Sequence, residues 1–103
     1  MIEEFTKEKL NNEGVIVVKG YTVWCGPCKM YKPTFEKVAE RYKDKATFYE
    51  IDLGKNQEFA QEYEVRGIPT TMFFKDGVYY MLRVGVYTEE QLEDFINMVI
   101  RGE

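Results

Sequence analysis

Apolar and polar positions follow two different periods along the chain, and the switches between them mark out its elements. Val15-Ile16-Val17-Val18 is a continuous aliphatic run, the pattern of a strand covered on both faces. Further on, Tyr31, Phe35, Val38 and Tyr42 recur at helical spacing with charges between them, which predicts a helix from Cys25 to about Lys43. Ala46 to Leu53 reads as a second strand, and Asn56 to Tyr63 as a helix capped by Asn56. A strand, a helix and a strand in that order imply a parallel pair joined by a crossover. Thr70 to Lys75 and Val78 to Val84 are rich in β-forming residues and flank Asp76-Gly77, a strong hairpin signal. Thr88, with Gln91 three residues on, predicts a capping box. The helix it opens would bury Leu92, Phe95, Ile96, Val99 and Ile100. Ahead of all these, Phe5 to Asn12 reads as a short helix anchored by Phe5 and Leu10 and stopped by Asn11-Asn12-Glu13-Gly14. After that first helix the order is β-α-β-α-β-β-α, an α/β class with a sheet covered by helices on both faces. Met72, Phe74, Tyr80 and Leu82 fall at strand spacing, so core packing explains them better than a cofactor box.

Composition narrows the function classes. A chain of 103 residues with no repeat, linker or low-complexity stretch is expected to form a single domain over 1–103. Lys plus Arg is 14 against 18 Asp plus Glu, a net charge of −4. The basic residues are interleaved with acidic ones, which argues against nucleic-acid binding by charge. No aliphatic run is long enough to span a bilayer. Met1-Ile2-Glu3-Glu4-Phe5 lacks the basic and apolar regions of a secretory signal, so a cytoplasmic protein is expected. The chain has no histidine. That absence removes histidine acid–base chemistry, Ser-His-Asp and Cys-His nucleophilic sites, and most zinc sites.

The two cysteines stand three apart in Trp24-Cys25-Gly26-Pro27-Cys28-Lys29. Four readings compete for them. A zinc site would need further ligands that the chain offers only as carboxylates. A purely structural disulfide would close a tiny loop and restrain little unfolded-state entropy. Two unrelated buried thiols would not require Gly-Pro between them. A dithiol that cycles between reduced and oxidised states accounts for the pattern best. Cys25 falls at the mouth of the predicted helix with Pro27 in its first turn, where a missing N–H costs nothing. Backbone N–H groups and the helix dipole there favour a thiolate, the form that attacks a disulfide. Cys28, one turn further in, is placed to resolve the mixed disulfide. Gly26 allows close approach, and Pro27 stiffens the loop.

These residues resemble the thioredoxin family. Trp24-Cys25-Gly26-Pro27-Cys28-Lys29 is similar to its active-site motif, Arg66-Gly67-Ile68-Pro69-Thr70 to its cis-proline loop, and Phe74-Lys75-Asp76-Gly77 to its hairpin. Val84-Gly85-Val86 resembles the glycine loop beside the site, and Pro33 sits where the family has the kink in its active-site helix. The motifs stay in register from about Gly14 onward. The resemblance implies a thioredoxin fold, with a central mixed sheet of four to five strands and helices on both faces. It implies a protein-disulfide reductase in which Cys25 is the nucleophile and Cys28 the resolving residue. Trp24, Gly67, Ile68, Pro69, Gly85 and Val86 would line an apolar groove for an extended substrate segment. Backbone groups of Ile68 would pair with that segment in the manner of strand addition. Disulfide-containing proteins and a thioredoxin reductase are the implied partners. No bound cofactor or metal is implied, only a reversible Cys25–Cys28 disulfide, and a monomer is expected.

Three departures from the family pattern stand out. Only Met1 to Glu4 precede the first helix, so the first strand is reduced to a stub. Six residues before Cys25 the family usually carries a buried aspartate that assists proton transfer at the second cysteine; here that position is Lys19. The neighbouring-strand position where the family often has a lysine is Glu50. The expectation is a charge-exchanged pair beneath Cys28, with Glu50 relaying the proton and Lys19 stabilising the Cys28 thiolate. The competing reading has Lys19 reaching to solvent at a strand end and Glu50 on a wet edge. Finally, in Gly20-Tyr21-Thr22-Val23, Tyr21 would replace a family tryptophan in packing and Gly20 would open space beside Lys19. Two other function classes compete with the reductase: a binding module that needs no cysteines, and a glutathione-dependent reductase. The Gly-Pro dipeptide and the lack of a recognisable glutathione pattern after Pro69 disfavour the latter.

Overall fold

Each face of the aliphatic run lies against a different core, which makes strand and sheet inseparable. In the computed structural model, which describes residues 2–10 and 13–103, Val15 and Val17 pack with Tyr31, Phe35, Val38, Leu92, Ile96 and Val99. Ile16 and Val18 face the other way, onto Phe5, Ile51, Leu53, Phe59, Met72 and Phe74. The strands are β1 (Glu3–Glu4), β2 (Val15–Tyr21), β3 (Ala46–Asp52), β4 (Thr70–Lys75) and β5 (Val78–Val84). The helices are α1 (Gly26–Arg41), α2 (Gln57–Glu62) and α3 (Glu89–Arg101). The sheet order is β1-β3-β2-β4-β5, with β1, β3 and β2 parallel and β4 and β5 antiparallel additions. Helices α1 and α3 supply the first core and α2 belongs to the second, so both faces are covered.

The stub is real: β1 has two residues, pairing Glu3 with Tyr49 and Glu4 with Glu50. The expected helix from Phe5 shrinks to one 3-10 turn at Lys7–Lys9. Phe5 precedes it and is buried among the rings of Tyr49, Phe59 and Phe74. The expected stop at Asn11 and Asn12 lies outside the described residues. Strand β2 runs three residues beyond Val18, because Lys19, Gly20 and Tyr21 keep their pairing with β3. Asn56 does precede α2, but its side chain caps nothing there; its Nδ2 donates to the Asp52 carbonyl at 2.8 Å instead. The capping box of Thr88 and Gln91 is present in both directions, at 3.1 and 3.0 Å. Ile100 is left exposed at the end of α3.

The β4–β5 register slips at Phe73 and Phe74, which face Met81 and Tyr79, leaving Tyr80 as the extra residue. A bulge of this kind shifts the alternation by one. Tyr80 therefore packs with the α1–α3 core, while Met72, Phe74 and Leu82 remain on the opposite side. Gly20 also corrects an expectation. A Cβ there would meet Leu53 and Thr70, each at 2.8 Å, so its missing side chain makes room for them and not for space beside Lys19.

Candidate active site

Registers across three strands bring the site to one end of the sheet. Gly20 near the end of β2 pairs with Thr70 at the start of β4, and Thr70 pairs with Val84 at the end of β5. The segments following β2, preceding β4 and following β5 therefore emerge together. These are the segments that carry Trp24 to Cys28, Gly67 to Pro69, and Gly85 with Val86.

Cys25 is the N-cap of α1, in extended conformation, and its Sγ accepts the Cys28 N–H at 3.1 Å. Its own N–H donates to the Thr22 carbonyl at 3.3 Å, and its carbonyl accepts from Lys29 at 3.3 Å. The sulfur thus occupies the place a serine or aspartate oxygen takes at other helix starts. Cys25 and Cys28 are joined by a disulfide, with Cα atoms 5.2 Å apart. Pro27 lies in the first turn and Pro33 inside the helix. A Cβ on Gly26 would meet nothing within 4 Å; no contact among the described residues demands glycine there, and the space it leaves is open.

Around the cysteines, Trp24 is 91% exposed. Ile68 and Val86 are exposed, Gly67 and Gly85 half-buried, and Pro69 buried. The Ile68–Pro69 bond is cis. The Gly85 N–H donates to the Pro69 carbonyl at 2.9 Å, tying the glycine loop to the proline loop. Gly85 has φ +131°, open to glycine and rarely to other residues, and the Tyr87 ring lies 3.6 Å from where its Cβ would be. A Cβ on Gly67 would sit 2.7 Å from Val84 Cγ1. These contacts bring the two loops and the end of β5 into one surface.

Lys19 and Glu50 lie side by side as an ion pair. Their Cα atoms are partners in the parallel β2–β3 register, and Lys19 Nζ lies 3.4 Å from Glu50 Oε1. Lys19 does not reach solvent: its side chain is 3% exposed against 21% for Glu50. Nζ also stands 5.4 Å from the Phe35 ring centroid and 5.7 Å from that of Tyr21. Lys19, Glu50 and Cys28 line one cleft of about 220 Å³, together with Tyr21, Lys29 and Lys32. Behind the pair lies a group the sequence did not single out. Glu4 accepts from the Asp52 N–H at 3.2 Å and from the Tyr21 hydroxyl at 3.4 Å. Burial raises the Glu4 carboxyl above its usual range, with Glu50 and Asp52 adding to the effect. The Tyr21 phenol is pushed up to about 12 by burial and by Glu4, Glu50 and Asp52. The clue was the stub itself, since its register sets Glu4 opposite Glu50. Among the described residues no three acidic or thiol side chains gather to hold a metal ion.

The thioredoxin family model matches residues 2–98. The chain is 38% identical over 93 residues to thioredoxin of Pseudomonas aeruginosa, covering 90% of this chain and 86% of that one. It is 38% identical over 86 residues to thioredoxin of Bacillus subtilis, covering 84% and 83%. The solved structure of Malassezia sympodialis thioredoxin superposes with a TM-score of 0.86 at 31% identity, covering 97% and 91% of the two chains.

Proposed function

The chain belongs to the thioredoxin family, and from that membership we propose how its residues divide the work of a protein-disulfide reductase. Cys25 is the attacking sulfur. As a thiolate it bonds to one sulfur of a substrate disulfide, the substrate S–S bond breaks, and the other sulfur leaves as a thiolate. Cys28 gives up its proton and attacks Cys25 Sγ. The mixed disulfide breaks, the substrate is released with two electrons gained, and the protein is left with its Cys25–Cys28 disulfide. The contact between the Cys28 N–H and Cys25 Sγ carries this reading. It aims the start of a helix at the sulfur on which negative charge must rest.

Trp24, Gly67, Ile68, Pro69, Gly85 and Val86 form the substrate surface, with the exposed apolar side chains making contact and buried Pro69 fixing the backbone that precedes it. Glu50 accepts the Cys28 proton, and Lys19 favours the resulting anion. A thioredoxin reductase returns the two electrons, and the protein works as a cytoplasmic monomer. No helix among the described residues is long and apolar enough to cross a membrane. An insulin-type reduction assay with dithiothreitol tests the assignment. Wild type should accelerate the reaction and Cys25→Ser should not; equal rates would overturn it in favour of a cysteine-independent binding role.

A further inference from the structure

The cleft beside Cys28 is lined by three lysines and one carboxylate, in a chain whose net charge is −4. Lys29 and Lys32 are exposed on α1, where water and salt screen them. Lys19 is not exposed, and its partner Glu50 is seven times more accessible, at 21% against 3%. The charge least screened from Cys28 is therefore a cation. Glu4 and Asp52 face Glu50 from β1 and β3, and Tyr21 faces it from β2, but of these only Tyr21 borders the cleft.

We infer that Lys19 is a positioning residue that sets the equilibrium between the disulfide and dithiol forms, making the couple easier to reduce than an uncharged residue there would. The inference rests on the cysteine-pair reading above and extends it. A proton relay alters how fast the dithiol forms and leaves its equilibrium unchanged. A fixed charge alters the equilibrium. The disulfide is neutral, so Lys19 gains little from it. The reduced pair carries its charge on Cys25, whose sulfur is bonded in the disulfide to that of Cys28 at the cleft. The attraction of that thiolate to a poorly hydrated ammonium exists in the reduced state alone. Stabilising the reduced form makes its disulfide the stronger oxidant. In the balanced exchange, two glutathione thiols reduce the protein disulfide, giving the protein dithiol and one glutathione disulfide. Lys19 pulls that reaction toward the dithiol.

The test is the redox equilibrium of the full chain in glutathione buffers, read by alkylation and mass, with circular dichroism to confirm folding. Lys19→Met should shift the constant about tenfold toward the disulfide, equivalent to about 30 mV for a two-electron couple. Lys19→Arg, which keeps the charge, should remain within about twofold of wild type, a rescue that a merely structural role in the core does not require. Glu50→Gln should move the constant the opposite way. Lys19→Met/Glu50→Gln guards against misfolding of the single variant and should still shift toward the disulfide. An unshifted Lys19→Met, or a shift toward the dithiol in the variants lacking Lys19, overturns the inference. Failure of the cysteine reading is distinct: wild type and Cys25→Ser would then be equal in insulin reduction.

Discussion

Thr70 occupies the space where Gly20 has no side chain. A Cβ on Gly20 would lie 2.8 Å from Thr70 Cγ2 and 2.8 Å from Leu53 Cδ1, and both neighbours are buried. Thr70 opens β4 directly after Pro69, so the strand that carries Lys19 is packed against the end of the proline loop. Gly20→Ala must push two enclosed side chains apart. The expected cost is about 1–3 kcal/mol, read as a fall in melting temperature of roughly 4–8 °C per kcal/mol for a domain of this size. Calorimetry showing an unchanged transition would mean that this corner is looser than the contacts require.

Alkaline pH should unfold the protein partly through Tyr31. Its hydroxyl shares a 2.8 Å hydrogen bond with Thr71 Oγ1 in the core, and burial pushes the phenol up to about 12 from 10.0. The folded state therefore holds its proton where the unfolded chain has lost it. This contribution is complete below about pH 10 and declines as pH rises through about 12, by up to about 2–3 kcal/mol. Tyr21, also raised to about 12, supplies a second share of the slope. Urea titrations from pH 9 to 12 should show stability falling, and less steeply for Tyr31→Phe. That variant should already be about 1 kcal/mol weaker at neutral pH, since Thr71 loses its partner. Parallel slopes for both proteins would exclude Tyr31 as a source.

Signals confined to a few neighbouring residues carried through from sequence to structure. Asp76-Gly77 joins β4 to β5, Thr88 and Gln91 cap each other, and Cys25 begins α1. What escaped the sequence depends on contacts made across the fold. Tyr80 leaves its alternation because β4 and β5 slip by one residue, and a two-residue period cannot announce where that happens. Asn56 has the chemistry of a cap, yet its side chain is turned so that Nδ2 donates to the Asp52 carbonyl while no α2 N–H reaches its oxygen. The exchanged charges at Lys19 and Glu50 were legible through the family resemblance. That the cation is the buried member was not, because it depends on which face of the sheet α1 covers.

Removing either partner of the Lys19–Glu50 pair should destabilise the fold unequally. Glu50→Gln strands a side chain that is 3% exposed, whereas Lys19→Met leaves a carboxylate that already touches water at 21%. Loss of one partner of a buried pair costs about 3–5 kcal/mol. For Glu50→Gln the low end is expected, since the Phe35 and Tyr21 rings still face Nζ. Lys19→Met should cost less, and the double variant less than the sum of the two. A double-mutant cycle in urea measures the coupling; simple additivity would mean that the 3.4 Å contact contributes nothing to stability.

The exposed side of the site can be separated from its chemistry through Trp24. At 91% exposure its ring contributes little to the fold, so Trp24→Ala should change stability by no more than about 0.5 kcal/mol. If the ring is part of the surface that holds an extended protein segment, its loss removes contact area only for substrates large enough to reach it. Truncating an aromatic anchor at an interface typically costs about 1–2 kcal/mol or more, which corresponds to roughly a tenfold loss in kcat/KM toward a protein disulfide. A small aromatic disulfide, which needs only the Cys25 sulfur, should be reduced at the wild-type rate. An equal loss on both substrates would place Trp24 in the chemistry of the sulfur instead, and no loss on either would remove it from the substrate surface.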